Sequence, residues 1–140
     1  RGHDHSGLRS EANIFRYRNT LEPVVVYVGE GYQLRDVYRQ ALAAAITGSE
    51  VRVVAPEAIA AELKAAGIAV DATRIEGTPS RVRALGEAPE ELYGEITTAV
   101  FDGPALLDGR HELLPYLLEQ SISATLHRFG VIHDPAGIRQ

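Results

Sequence analysis

The residues that could do chemistry are few. Gly29-Glu30-Gly31-Tyr32-Gln33-Leu34 follows the apolar run 24–28 and precedes a helical pattern, the place of a phosphate-binding turn. Such a turn takes three glycines. One makes the bend, one lets the backbone reach the pyrophosphate, and one packs helix on strand. Here leucine holds the third position, and Glu30 would set a negative charge beside the phosphate. Gly29 and Gly31 are therefore weak cofactor-binding candidates, and a plain tight turn is the favoured reading. His111-Glu112 and His127 could pair in space, but their spacing matches no metal or acid–base motif. His127 alternates with Ser123 and Thr125, which suits packing or partner contact better than catalysis. His3-Asp4-His5 could ligate a metal, yet on a polar end it reads as solvated. Asp102 ends a β-rich run where acids often act, although aspartate before glycine is also turn chemistry, and the turn is preferred. Lys64, the single lysine, falls on a helix surface. There is no cysteine, which excludes thiol nucleophiles, disulfides and zinc–thiolate sites, and no Gly-x-Ser-x-Gly elbow occurs. No catalytic residue and no metal ligand is assigned.

The elements that would position these residues form a recognisable series. Residues 13–18 alternate apolar and polar, a half-buried strand with Arg16 and Arg18 on its polar face. Val24, Val25, Val26, Tyr27 and Val28 make a strand apolar on both faces. Leu34, Val37, Tyr38, Ala41, Leu42 and Ala45 recur at helical spacing on a helix of about 13–15 residues that stops at Gly48. Val51, Val53 and Val54 start a second strand, giving a right-handed βαβ unit. Pro56 opens a helix buried through Ile59, Ala60, Leu63 and Ala66, ended by Gly67. Ile68-Ala69-Val70 reads as a third strand. Thr78-Pro79-Ser80 predicts a short helix with Val82 and Leu85 inside, and a turn or short helix begins near Pro89. Residues 96–101 read as a strand. Residues 110–120 predict a short or kinked helix around Pro115, and residues 121–127 a strand with one apolar face.

The alternation of strands and helices predicts an α/β fold with a mostly parallel sheet and two odd strands at its ends. At 140 residues the chain fits one domain, 1–140, with an extended arm at 1–12 and a tail at 131–140. A net charge of −5 argues against nucleic acid or an anionic membrane as partner. No apolar run is long enough to span a membrane, and the opening has no hydrophobic signal region, so a cytoplasmic protein is expected. The absence of methionine suggests a piece of a longer protein.

Two ends of the chain resemble a known family. Residues 7–18 (GLRSEANIFRYR) and, more specifically, residues 112–130 (ELLPYLLEQSISATLHRFG) resemble the C-terminal domain of bifunctional proline utilisation A enzymes. These join proline dehydrogenase to L-glutamate γ-semialdehyde (Δ1-pyrroline-5-carboxylate) dehydrogenase. Residues 42–56 and 62–67 fit more loosely, as a worn nucleotide-binding half of an aldehyde dehydrogenase. The resemblance implies a Rossmann-like three-layer sandwich whose terminal strands form a flap or pair with another edge. It implies an oxidoreductase parent using FAD and NAD, possibly membrane-associated through its proline dehydrogenase module. This domain would have no catalytic activity or cofactor of its own. It would pack on the dehydrogenase modules and help cover the tunnel that passes the semialdehyde on. Docking would fall to Arg16, Arg18, Ser121, Ser123, Thr125, His127, Arg128 and Phe129, and the free domain would expose an apolar patch prone to self-association. The competing reading is a small nucleotide-binding or regulatory Rossmann-like module resting on Gly29 and Gly31. An independent hydrolase or transferase using His127 or His111 with an acid is a third.

Overall fold

The computed structural model describes residues 11–125, 127–128 and 131–132. They form two compact units: Asn19–Leu117, and the two ends of the chain together.

The larger unit is built on a sheet of four parallel strands: β2 (Val24–Val28), β3 (Val51–Val54), β4 (Arg81–Leu85) and β5 (Ala99–Phe101), in the order β3-β2-β4-β5. All five residues of β2 are buried, as expected of a central strand apolar on both faces. One face carries Val24, Val26 and Val28. It packs against helices α1 (Leu34–Thr47) and α2 (Glu57–Ala65) through Val37, Ala43, Ala44, Ile59, Ala60 and Leu63. The other face carries Val25, Tyr27 and Val82 and is covered by Leu92, Ile75 and Ala88. The Rossmann-like α/β layout expected from the sequence is present. The layer over this second face is thin, because it consists of the 3-10 helix Glu90–Gly94 and a loop.

Several expectations need correction. The run 68–70 is not a strand. It shrinks to one parallel bridge between Val54 and Ala72, backed by the bond from the Asp71 N–H to the Val53 carbonyl. The segment expected to be a helix over 78–85 is strand β4, with Val82, Arg83, Ala84 and Leu85 buried. Two arginines hid its apolar alternation. The strand expected over 96–101 keeps only residues 99–101, and Ile96 is fully exposed. Around Pro115 the chain forms two single turns, α3 (Gly109–Glu112) and the 3-10 turn Leu114–Tyr116, and Leu117 already begins a strand. Helix α1 has the expected length and its Gly48 stop, in the left-handed conformation at φ 70°. Its buried stripe is rotated from the expected one: Asp36, Val37, Gln40, Ala43 and Ala44 face inward, while Leu34, Tyr38, Leu42 and Ile46 are exposed.

The second unit is a ribbon of β1 (Glu11–Asn19) and β6 (Leu117–Thr125). Side-chain bonds join Asn13 to Ser123, Arg16 to Gln120 and Tyr17 to Glu119, a descending pairing that makes the strands antiparallel. Strand β1 starts at Glu11, inside the expected arm. A two-residue pair, β7 (His127–Arg128) with β8 (Val131–Ile132), replaces the start of the expected tail.

Candidate functional site

In an open parallel sheet, ligands bind outside the carboxyl ends of the strands where strand order reverses. Here that point lies between β2 and β4, and the loops after both strands meet there. The Gly29 N–H donates to the Leu85 carbonyl at 2.8 Å, and the Glu87 N–H donates to the Glu30 carbonyl at 3.0 Å. A Cβ on Gly29 would stand 1.9 Å from the Glu87 carbonyl oxygen, and one on Gly86 would stand 2.3 Å from that of Glu30. The glycines therefore let two backbones touch. Gly31 supplies only its conformation, at φ 79° with nothing nearby. At the start of α1, Asp36 is buried and paired with Arg39 at 2.8 Å, so a carboxylate already complements the positive end of the helix.

The carboxyl end of the sheet holds a second arrangement, which sequence reasoning missed. Arg83 points from β4 to the helix side and is buried with Glu112, with its Nε 2.9 Å from Oε1. Its remaining N–H groups donate to the carbonyls of Ala84, Phe101, Gly103 and Pro104. Glu112 also accepts from Gln40 Nε2 at 2.8 Å and from the Leu106 N–H at 2.6 Å. The Tyr116 hydroxyl closes the network by donating to Gln40 Oε1, and Ser49 donates to the Tyr116 carbonyl. Arg81, beside it, donates to the Leu114 and Pro115 carbonyls and lies over the Phe101 ring. An irregular segment packed on a sheet leaves carbonyls that need donors. The guanidinium groups of Arg81 and Arg83 supply them, and so fix residues 101–116. Burial pushes the Glu112 carboxyl up, but the bonds from Arg83, Leu106 and Gln40 and the charge of Arg83 outweigh it and hold its pKa below the ordinary value. Burial pushes the Tyr116 phenol far above its usual range, so it stays protonated. The signal in the sequence was the pattern Arg81-Val82-Arg83 inside an otherwise apolar stretch.

The segment so fixed makes one wall of an apolar groove of about 350 Å3, lined by Leu42, Ala43 and Ile46 of α1 with Leu106, Leu107 and Leu113. Leu42 and Ile46 are 60% and 65% exposed. The ribbon carries its own uncovered apolar residues, Phe15 and Tyr17.

The expected docking residues do not share one surface. The register sets Ser121 opposite Phe15 and Ser123 opposite Asn13 on one face, with Thr125 on the same face. Arg16 and Arg18 belong to the other face, with Gln120 and Ile122. The side chains of His127 and Arg128, all of Phe129, and His3, Asp4 and His5 lie outside the described residues. His111 does not meet Glu112 across a site. Its Nδ1 lies 2.9 Å from Asp108, both are exposed, and the Arg110 N–H and His111 hold the Asp108 pKa low. Asp102 accepts from the Tyr93 hydroxyl, in a turn as expected. No group of three metal-ligating side chains occurs among the described residues. No helix among them is long and apolar enough to cross a membrane.

No family model and no curated protein matches the chain. A solved structure does: proline utilization A (PutA) from Corynebacterium freiburgense, 36% identical with a TM-score of 0.64, over 94% of this chain. This chain is similar to a domain of PutA. It spans 12% of the length of the PutA chain it matches. PutA is the family that residues 7–18 and 112–130 pointed to, and the start of the second stretch, Glu112 to Pro115, is bonded by the arginine network.

Proposed function

We propose that the chain is a non-catalytic, C-terminal domain of a bifunctional proline-catabolic enzyme that oxidises proline to glutamate. It packs on the aldehyde dehydrogenase module and helps cover the active site and the tunnel for the semialdehyde intermediate. FAD and NAD are held by other modules of the parent. The observation that carries this reading is the likeness to PutA, 36% identity over 94% of this chain but only 12% of that one.

Three features support a covering role. A two-stranded ribbon can extend a neighbouring sheet through backbone hydrogen bonds, and this one bears uncovered Phe15 and Tyr17. Ser121, Ser123 and Thr125 would dock from the face of these aromatics, and Arg16 and Arg18 from the opposite face. An apolar groove lies along α1. Finally, the loops after β2 and β4 touch through their backbones at Gly29 and Gly86, and Asp36 already sets a carboxylate at the start of α1, where a nucleotide phosphate would sit. Covering a tunnel keeps a reactive intermediate from water.

Calorimetric titration of the chain with NAD tests the cofactor half of the reading. No heat is expected, and micromolar binding would overturn it. Deleting the domain from its parent tests the other half. Semialdehyde oxidation should fall at least about tenfold while proline oxidation persists, and unchanged coupled turnover would refute a covering role.

A further inference from the structure

We infer that residues 103–112 form a lid that opens by itself, with the pair of Arg83 and Glu112 as its latch. The segment runs from the end of β5 to the turn that carries Tyr116. None of residues 103–111 is buried. Leu106 and Leu107 are 50% and 89% exposed, so neither anchors the segment in the core. Among the described residues, its backbone-to-backbone bonds are local. The Glu112 N–H donates to the Asp108 carbonyl at 3.1 Å, and the Leu113 N–H donates to that of Gly109 at 3.2 Å. Two side chains tie the segment to the sheet and to α1. Arg83 donates to the Gly103 and Pro104 carbonyls at 3.0 and 3.2 Å and to Glu112 at 2.9 Å, and Gln40 donates to Glu112 at 2.8 Å.

A segment with little buried apolar surface and self-contained backbone bonds opens at a lower free energy than the core beneath it. The opening has natural limits. At one end Tyr116 is fully buried in the main core and stays there. At the other Gly103, at φ 95°, supplies a hinge. The lid walls two cavities. Gly103 and Pro104 close one side of a crevice of about 270 Å3 that begins at Gly31 and Gly86, outside the carboxyl ends of β2 and β4. Leu106 and Leu107 close one side of the groove along α1. Opening widens both and bares the Arg83 guanidinium near the point where open α/β sheets take ligands. The covering role does not depend on this motion, so failure of the lid would leave that reading untouched.

The test is hydrogen exchange of the 140-residue chain, read amide by amide by NMR in urea below the unfolding transition. The amides of residues 112 and 113 report on the lid, because their bonds to Asp108 and Gly109 do not use the Glu112 side chain. In the wild type their exchange should hardly change with urea, while that of β2 and β4 should rise steeply, since only global opening exposes much surface. Glu112→Gln should speed exchange at 112 and 113 by about tenfold or more. A urea dependence at 112 and 113 equal to that of β2 would mean that the segment opens only with the whole molecule. Unchanged exchange in Glu112→Gln would mean that the pair is not its latch. Either result overturns the proposal, and the wild-type measurement decides alone if the variant does not fold.

Discussion

Arg83 shows how a single residue can be both a misfit and a requirement. A guanidinium in the middle of a central strand is costly to desolvate unless it is paired and fully hydrogen-bonded. Here Glu112 and four carbonyls use its donors. Arg83→Met would leave Glu112 buried without its cation, so unfolding stability should drop by about 3–5 kcal/mol. Adding Glu112→Gln should recover part of that loss, as read by urea denaturation. The pH dependence follows from the same pair. The folded pKa of Glu112 is depressed, so its contribution is complete above the unfolded value and fades as pH falls through the folded one. Wild-type stability should thus decline in the acid range below ordinary carboxylate values, and Glu112→Gln should flatten that decline. Gly29 is a second informative position. Gly29→Ala puts a methyl on the Glu87 carbonyl, and should cost about 1–3 kcal/mol by forcing the two loops apart. A variant as stable as the parent would mean that the loops do not touch.

At the scale of elements, α1 separates propensity from burial. Its length and its Gly48 stop were legible, because helical spacing and a left-handed glycine are local. Which side faces the sheet was not. The apolar stripe at Leu34, Tyr38, Leu42 and Ile46 looks outward, and small residues with Gln40 and Asp36 look inward, where a network awaits them. A helix with a strong apolar stripe in solvent invites a partner. Leu42→Glu should therefore weaken concentration-dependent self-association in sedimentation velocity. Stability should change by less than about 0.5 kcal/mol, since the side chain is mostly exposed. The β1–β6 ribbon carries the opposite lesson. Its strands sit about a hundred residues apart in sequence, joined through pairs such as Arg16 with Gln120. Two strands alone are marginal in water. Amides of β1 and β6 should exchange with deuterium well before those of β2 and β4, and uniform protection would contradict this.

For the whole molecule, the sequence by itself determined the class of fold, the βαβ unit and the lack of thiol chemistry, and its two ends named the family that the comparison with PutA returns. These rest on local periodicity, composition and near-contiguous motifs, which survive without three-dimensional context. Only the tertiary structure decided that 81–85 is a central strand, that 68–70 is barely one, and that 117–120 is strand rather than helix. It also decided that Arg16 and Arg18 lie on one face of a ribbon and Ser121, Ser123 and Thr125 on the other, and that Arg83, Gln40, Glu112 and Tyr116 form one network. The physical reason is shared. Each outcome depends on partners far away in sequence: a neighbouring strand for β4, a register for the ribbon, a distant carboxylate for a buried cation. A charge reads as surface until the group that neutralises it is in place.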